Sequence, residues 1–199
     1  DAVTAGVITA TIETDSSTDL ATLTGTGNAY TITLANTEVA TIARLKTIND
    51  ATTGTVTLNA TTIAANFDDT AANLNSAFTG ITSHTGTLTL SAGAAAATIA
   101  QLKTINAATT GTVTLNANTI SQAYSDTAAN LVSAFTGIAT HTGTIEVTGA
   151  APTVAQANIL DAVTAGVITA TIETDSSTDL ATLTGTGNAY TITLANTEV

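Results

Sequence analysis

The chain has 199 residues, with fifteen Asp+Glu against three Lys+Arg and a formal charge of −12; Cys, Met and Trp are absent, and Thr (50) and Ala (39) dominate. Disulfide frameworks and thiolate metal sites are thereby excluded, and three cations cannot neutralise a phosphate backbone, so no nucleic-acid partner is expected. No apolar run approaches the 18 or so residues of a membrane span, so no membrane insertion is expected, while a hydrophobic content of 44% is too high for charge-driven disorder.

Residues 1–39 recur without one change at 161–199, a period of 160 residues. The simplest reading is a window of one and a quarter periods from a longer chain, with an artificially joined sequence as the rival. A shorter period lies inside the long one. TIARLKTINDATTGTVTLN begins at Thr41, TIAQLKTINAATTGTVTLN at Thr98, and TVAQANILDAVTAGVITAT at Thr153. This divides the chain into residues 1–40 (the end of a shortened third sub-unit), 41–97 (sub-repeat 1), 98–152 (sub-repeat 2) and 153–199 (sub-repeat 3). The third sub-unit lacks most of the ATTIAANF stretch of the first.

In chain order, Thr9 and Thr11 alternate with Ala10 and Ile12, a strand pattern. Asp15 is expected to start and cap a helix, and Thr31-Ile32-Thr33-Leu34 forms the next strand. Ile42, Leu45 and Ile48 make a one-faced helical stripe, with Thr41 as N-cap and Gly54 as a stop. The strand Thr55–Leu58 follows. Asp69 is expected to cap a second helix, whose apolar face is Ala71, Leu74, Phe78 and Ile81, ahead of the strand Thr87–Leu90. Ile99, Leu102, Ile105 and Gly111 repeat the first helix. Asp126 then caps a twin of the second, with Ala128, Leu131, Phe135 and Ile138, before the strand Thr144–Val147.

Each unit thus reads as helix, strand, helix, strand. Short helices alternating with strands imply parallel strands joined by helical crossovers. A coil of this size cannot enclose a core, and stacking on a near-copy covers its apolar faces. The expected fold is an α/β solenoid, with a parallel sheet on one side and short helices on the other; six coils would advance about 29 Å per long period. The alternative is a plain parallel β-helix in which the Ala-rich segments are loops.

Little in the sequence suggests chemistry, and no enzyme activity or cofactor is expected. His84 and His141 occupy equivalent SHTG and THTG loops, where the third unit has Asn28, and read as turn residues. Asn73, Asn130 and Asp19 follow the capping aspartates by four positions, and the amides are expected to satisfy turn carbonyls. Asp68-Asp69 and Asp15/Asp19 offer at most weak surface calcium coordination, since no loop has the Asp-x-Asp-x-Asp-Gly spacing. Thr24-Gly25-Thr26-Gly27 lacks the lysine of a phosphate loop and reads as turns. Asn59-Ala60-Thr61 matches an N-glycosylation acceptor. If the apolar residues of each strand face inward, Thr31, Thr33, Thr55, Thr57, Thr87, Thr89, Thr112 and Thr114 face outward. These form the candidate surface-binding set, although β-propensity and wettability alone explain threonine there.

The segments NAYTITL, GVITATIE and DTAANL, with the VAQANILDA…TTGTV register, resemble tandem repeats of very large bacterial cell-surface proteins of cyanobacterial type. Some of that class are adhesin-like. The resemblance covers the whole chain and implies an extracellular or cell-surface location. The glycine/aspartate nonapeptides that bind calcium in relatives are missing from this stretch. The expected role is a structural repeat of a long filament, sheath or stalk, with neighbouring repeats or subunits as its partners. The alternative is a module that binds ice, glycan or mineral through the outward threonines.

Overall fold

The computed structural model describes residues 6–196. The strands are very short, and each of β1–β9 is followed by a short helix. The first elements are β1 (Thr9–Thr11), α1 (Ser17–Leu20), β2 (Ala29–Thr33), α2 (Ile42–Asp50) and β3 (Val56–Thr57). Then come α3 (Ala60–Ile63), β4 (Phe67–Asp69), α4 (Ala71–Phe78), β5 (Leu88–Leu90), α5 (Ile99–Ala108) and β6 (Val113–Thr114). The chain continues through α6 (Ala117–Ser121), β7 (Tyr124–Asp126), α7 (Ala128–Phe135) and β8 (Ile145–Val147). It ends with α8 (Val154–Val163), β9 (Ile168–Thr171), α9 (Ser177–Leu180) and β10 (Ala189–Thr191).

Every strand pairing is parallel, which makes this an α/β fold. The chain divides into two compact units: Asp1–Ser91 with Ala107–Thr114, and Ala92–Asn106 with Leu115–Val199. The division runs through the second sub-repeat. The first unit holds two sheets, ordered β1-β2-β3 and β4-β5-β6; the second holds one, ordered β10-β9-β8-β7. The single uninterrupted sheet expected from the repeats is therefore replaced, among the described residues, by three.

The cause is the ATTIAANF stretch and its twin. Asn59 caps α3, its side-chain oxygen accepting from the Thr62 amide at 2.8 Å. The chain then turns into β4, which pairs with β5 and not with β3. Asn116, α6 and β7 repeat this in the second unit. Each long sub-repeat thus carries three helix–strand steps where the sequence implied two.

The helical stripes are the core. Ile42, Leu45 and Ile48 of α2 are buried, as are Ala71, Leu74, Ala77 and Phe78 of α4. In the second unit Ala128, Leu131, Ala134 and Phe135 of α7 and Val154, Ala157, Leu160 and Val163 of α8 do the same. From the strands come Ile32, Val56, Leu88 and Leu90, then Ile145 and Ile168. These helices are too short to persist alone, so tertiary burial holds them.

The capping aspartates are displaced by one residue from their expected role. Ser16, Thr70 and Thr127 are the N-caps, accepting from the amides of Asp19, Asn73 and Asn130. Asp69 and Asp126 are the last residues of β4 and β7, so their extended backbone aims the carboxylate at the next amide. Asp15, Asp69 and Asp126 each accept from the cap residue's own N–H at 2.7 Å. The Asn73 and Asn130 amides donate back to Asp69 and Asp126 at 2.8 Å, rather than to turn carbonyls. Replacing Thr70 by alanine removes the cap acceptor and is expected to cost about 1 kcal/mol, while Thr70→Ser stays near wild type. Urea unfolding checks both values.

Candidate functional site

Three recurring polar devices join segments some 19 to 30 residues apart in the chain. The first pairs a buried threonine with a glycine two residues on. The Thr109 hydroxyl donates to the Gly86 carbonyl at 2.7 Å and accepts from the Gly111 amide at 2.9 Å. Thr164 does the same with Gly143 and Gly166, both at 2.9 Å. Thr52 accepts from Gly54 and also from the Tyr30 amide, both at 2.8 Å. The glycine lies against the backbone of the preceding coil, where a Cβ has no room. Gly54 is therefore a packing residue rather than a helix stop.

Side-chain amides supply the second device. Asn49 donates to the carbonyls of Ser76 and Thr79 at 2.8 and 3.0 Å, and Asn106 to those of Ser133 and Thr136, both at 3.1 Å. Asn59 is buried and spends its amide on the Ala35 and Glu38 carbonyls. The amide of the glycosylation-like triplet is thus bound within the fold. These asparagines, not Asn73 and Asn130, satisfy the turn carbonyls.

The third device is a pair of histidines. His84 and His141 lie in the connections before β5 and β8, as turn residues would, but their side chains are buried at 0% and 1% exposure. His84 packs against Phe67 and Phe78, with ring centroids 5.5 and 5.0 Å away. His141 packs against Tyr124 and Phe135 at 5.4 and 4.9 Å. In each, Nε2 meets a carbonyl, Ala65 or Gln122, at 2.9 Å. That oxygen only accepts, so Nε2 carries the proton. His141 Nδ1 adds a 3.0 Å contact with Thr164 Oγ1. Asn28 is buried at the equivalent place and accepts from the Ile8 amide at 3.0 Å.

Burial disfavours the imidazolium and holds both histidines below their ordinary value of 6.5, an effect partly offset by the carbonyl contacts. As pH falls through 6.5, the unfolded chain binds protons that the folded chain refuses. Stability is therefore complete above 6.5 and declines below it. The urea midpoint is expected to drop between pH 7 and pH 5. His84→Asn with His141→Asn, copying Asn28, should flatten that slope whatever its effect on absolute stability.

Other shifts have local causes. The Ser17 hydroxyl, donating at 2.7 Å, holds the Glu38 carboxyl below its usual range, helped by Arg44. Asp126 is lowered chiefly by the Asn130 amide and then by the Thr127 N–H. Burial pushes Tyr124 up to about 12, and its hydroxyl donates to the Ala97 carbonyl at 2.6 Å. All three cations are engaged: Arg44 with Glu38, Lys46 with Asp50, and Lys103 with the Asn130 side-chain oxygen.

The threonine set reaches solvent. Thr31, Thr55, Thr57, Thr112 and Thr114 are exposed, and Thr33, Thr87 and Thr89 are half-buried. Register decides how they line up. Thr11 lies beside Thr31, Thr33 beside Thr57, and Thr89 beside Thr114. Asp68 flanks Thr89 on its other side. In the second unit the equivalent row reads Ser125, Glu146, Thr169, Ala189. Continuing the β2–β3 register by one residue, with the Ile32 amide on the Thr55 carbonyl, sets Thr55 beside Thr31, so that row holds Thr11, Thr31 and Thr55.

Among the described residues, no group of three or more His, Asp or Glu is placed to hold a metal ion. No helix there is long and apolar enough to cross a membrane. An open groove beside α5 is lined mostly by neutral groups, including Thr98, Ile99, Gln122, Tyr124 and Ser125, with Asp126 its one charged residue. Comparison of the chain with protein-family models, curated proteins and solved structures gives no significant match to any of them.

Proposed function

We propose that this chain is a structural repeat of a long extracellular or cell-surface filament, sheath or stalk. In this reading the α/β coils form a solenoid, each resting on the one before, and the role is mechanical rather than catalytic. The observation that carries it is the recurrence of one coil-to-coil clamp, Thr52/Gly54, Thr109/Gly111 and Thr164/Gly166, at matching places along the chain. A clamp that bonds a coil only to its predecessor is indifferent to how many coils precede it, so length follows copy number. The partners are then neighbouring repeats or subunits of the same kind. A formal charge of −12 discourages indiscriminate side-by-side association.

The alternative is a module that binds ice, glycan or mineral. It draws on the outward threonines, but Asp68 beside Thr89 and Glu146 beside Thr169 interrupt their rows and favour the structural role. The test is electron microscopy of polypeptides carrying one, two and four 160-residue periods. Constant width, with the same gain in length for every added period, is expected. Particles that widen, or that resolve into separate beads, would overturn the reading. Thermal hysteresis that disappears in a Thr31→Val, Thr33→Val variant would instead favour surface binding.

A further inference from the structure

The segment 1–39 and its copy 161–199 provide an internal comparison. Their described residues fold alike: β1, α1 and β2 match β9, α9 and β10, and the bridge between Asp15 and Leu34 recurs between Asp175 and Leu194. Their burial differs sharply. Ile32 and Leu34 are 0% and 3% exposed, whereas Ile192 and Leu194 are 49% and 59% exposed. Ser17 is buried and Ser177 exposed. Sequence cannot cause the difference, because the sequences are identical.

What covers the first copy is known. Ile32 lies beside Val56 and Thr33 beside Thr57 in a parallel pair. The Ile32 amide donates to the Thr55 carbonyl at 2.9 Å, and the Leu34 amide to the Thr57 carbonyl at 3.0 Å. The Tyr30 amide donates to the Thr52 hydroxyl. Helix α2 brings its apolar stripe down beside α1. On the second copy, no described residue accepts from the amides of Ile192 or Leu194. Two branched aliphatic side chains and an open strand edge stand together there.

We propose that the Tyr190–Leu194 face is a docking surface for one occupant: a coil with the sequence of Ala40–Asn59, a helix followed by a parallel strand. Its strand takes the register that places Val56 beside Ile192 and Thr57 beside Thr193. Its Thr52 hydroxyl receives the Tyr190 amide. The close approach at Gly54, where a Cβ would lie 2.3 Å from the Tyr30 carbonyl oxygen, makes glycine necessary two residues before the valine. This proposal rests on the coil-stacking reading above and adds which sequence docks, on which edge and in which register.

Hydrogen exchange tests it within a single molecule. Ile32 and Ile192, like Leu34 and Leu194, have the same sequence neighbours, so intrinsic exchange rates cancel. In the 199-residue chain the Ile192 and Leu194 amides should exchange about 100-fold or more faster than their twins. Extending the chain after Val199 by a second copy of residues 40–97 should shrink that gap to about tenfold or less. The same extension with Val56→Asp in the added coil only should leave the gap open. Unchanged fast exchange at both amides in the extended chain would overturn the proposal. So would equal protection in the unextended chain that rises with its concentration, which would assign the face to a second copy. If the gap stays open while chains of two and four periods still lengthen at constant width, the docking register fails and the filament reading stands.

Discussion

Gly111→Ala is expected to destabilise the chain by about 3 kcal/mol or more. A Cβ built at Gly111 lies 2.4 Å from the Gly86 carbonyl oxygen and 2.5 Å from that of Thr85. Both obstacles are backbone, so no side-chain rotation relieves the clash. The coils must part. Parting strains the Thr109 hydroxyl bond to Gly86, the Leu88 amide bond to Thr112 (3.0 Å) and the Thr110 amide bond to His84 (3.0 Å). Overpacking alone costs about 1–3 kcal/mol, and each weakened buried hydrogen bond adds about 1 kcal/mol. Thr110→Ala, at an exposed neighbour, is the control and should change stability by less than about 0.5 kcal/mol. Urea unfolding measures both; a Gly111→Ala loss below about 1 kcal/mol would mean that the coils yield easily.

Phe78→Ala is expected to cost about 3–5 kcal/mol. The ring is fully buried, with its centroid 5.8 Å from that of Phe67 and 5.0 Å from that of His84. Truncation leaves a cavity walled by a rigid ring and an imidazole whose Nε2 is tied to the Ala65 carbonyl. Collapse into that space would break the tie, so the cavity persists and the cost lies high in the range for aromatic truncation. A second readout follows from the same contact. Water entering beside His84 relieves its desolvation, so its titration, followed by proton NMR, should move up towards 6.5. Phe135→Ala should repeat both effects at His141, because its ring lies 4.9 Å from that histidine in the second unit. A full stability loss without movement of the histidine titration would show that the site stays dry.

Periodicity made the longer helices legible. Ile42, Leu45 and Ile48, and Ala71, Leu74 and Phe78, were readable as stripes because a 3.6-residue period has no competitor in those windows. Strand alternation likewise showed which residues of Thr31–Leu34 and Thr87–Leu90 turn inward. The strands β4 and β7 were not legible. Their sequences FDD and YSD carry aspartates that ordinary β-propensity disfavours, and pairing with β5 and β8 overrides that preference. The cap position was ambiguous for a local reason: in D-T-A-A both Asp and Thr are good N-caps, and only the strand ending at Asp69 selects Thr70.

The candidate site was less readable than the fold. A threonine two residues before a glycine looks like turn chemistry, and nothing local reveals that Thr109 is buried or that Gly111 touches another coil. The histidines posed the same problem. Their aromatic neighbours lie 6 and 17 residues away, on a helix and a strand whose approach is set by packing. The outward direction of the threonines was readable from alternation. The breaks in their rows at Asp68 and Glu146 were not, because register depends on the neighbouring strand.

The hydrogen bonds that link coils join residues only some 19 to 30 positions apart. A growing chain would then find each such partner soon after synthesis, with none waiting on a distant segment. Folding on that plan can advance behind the ribosome, segment by segment, because the loop-closure cost depends on the short span of each contact and not on the length of the chain.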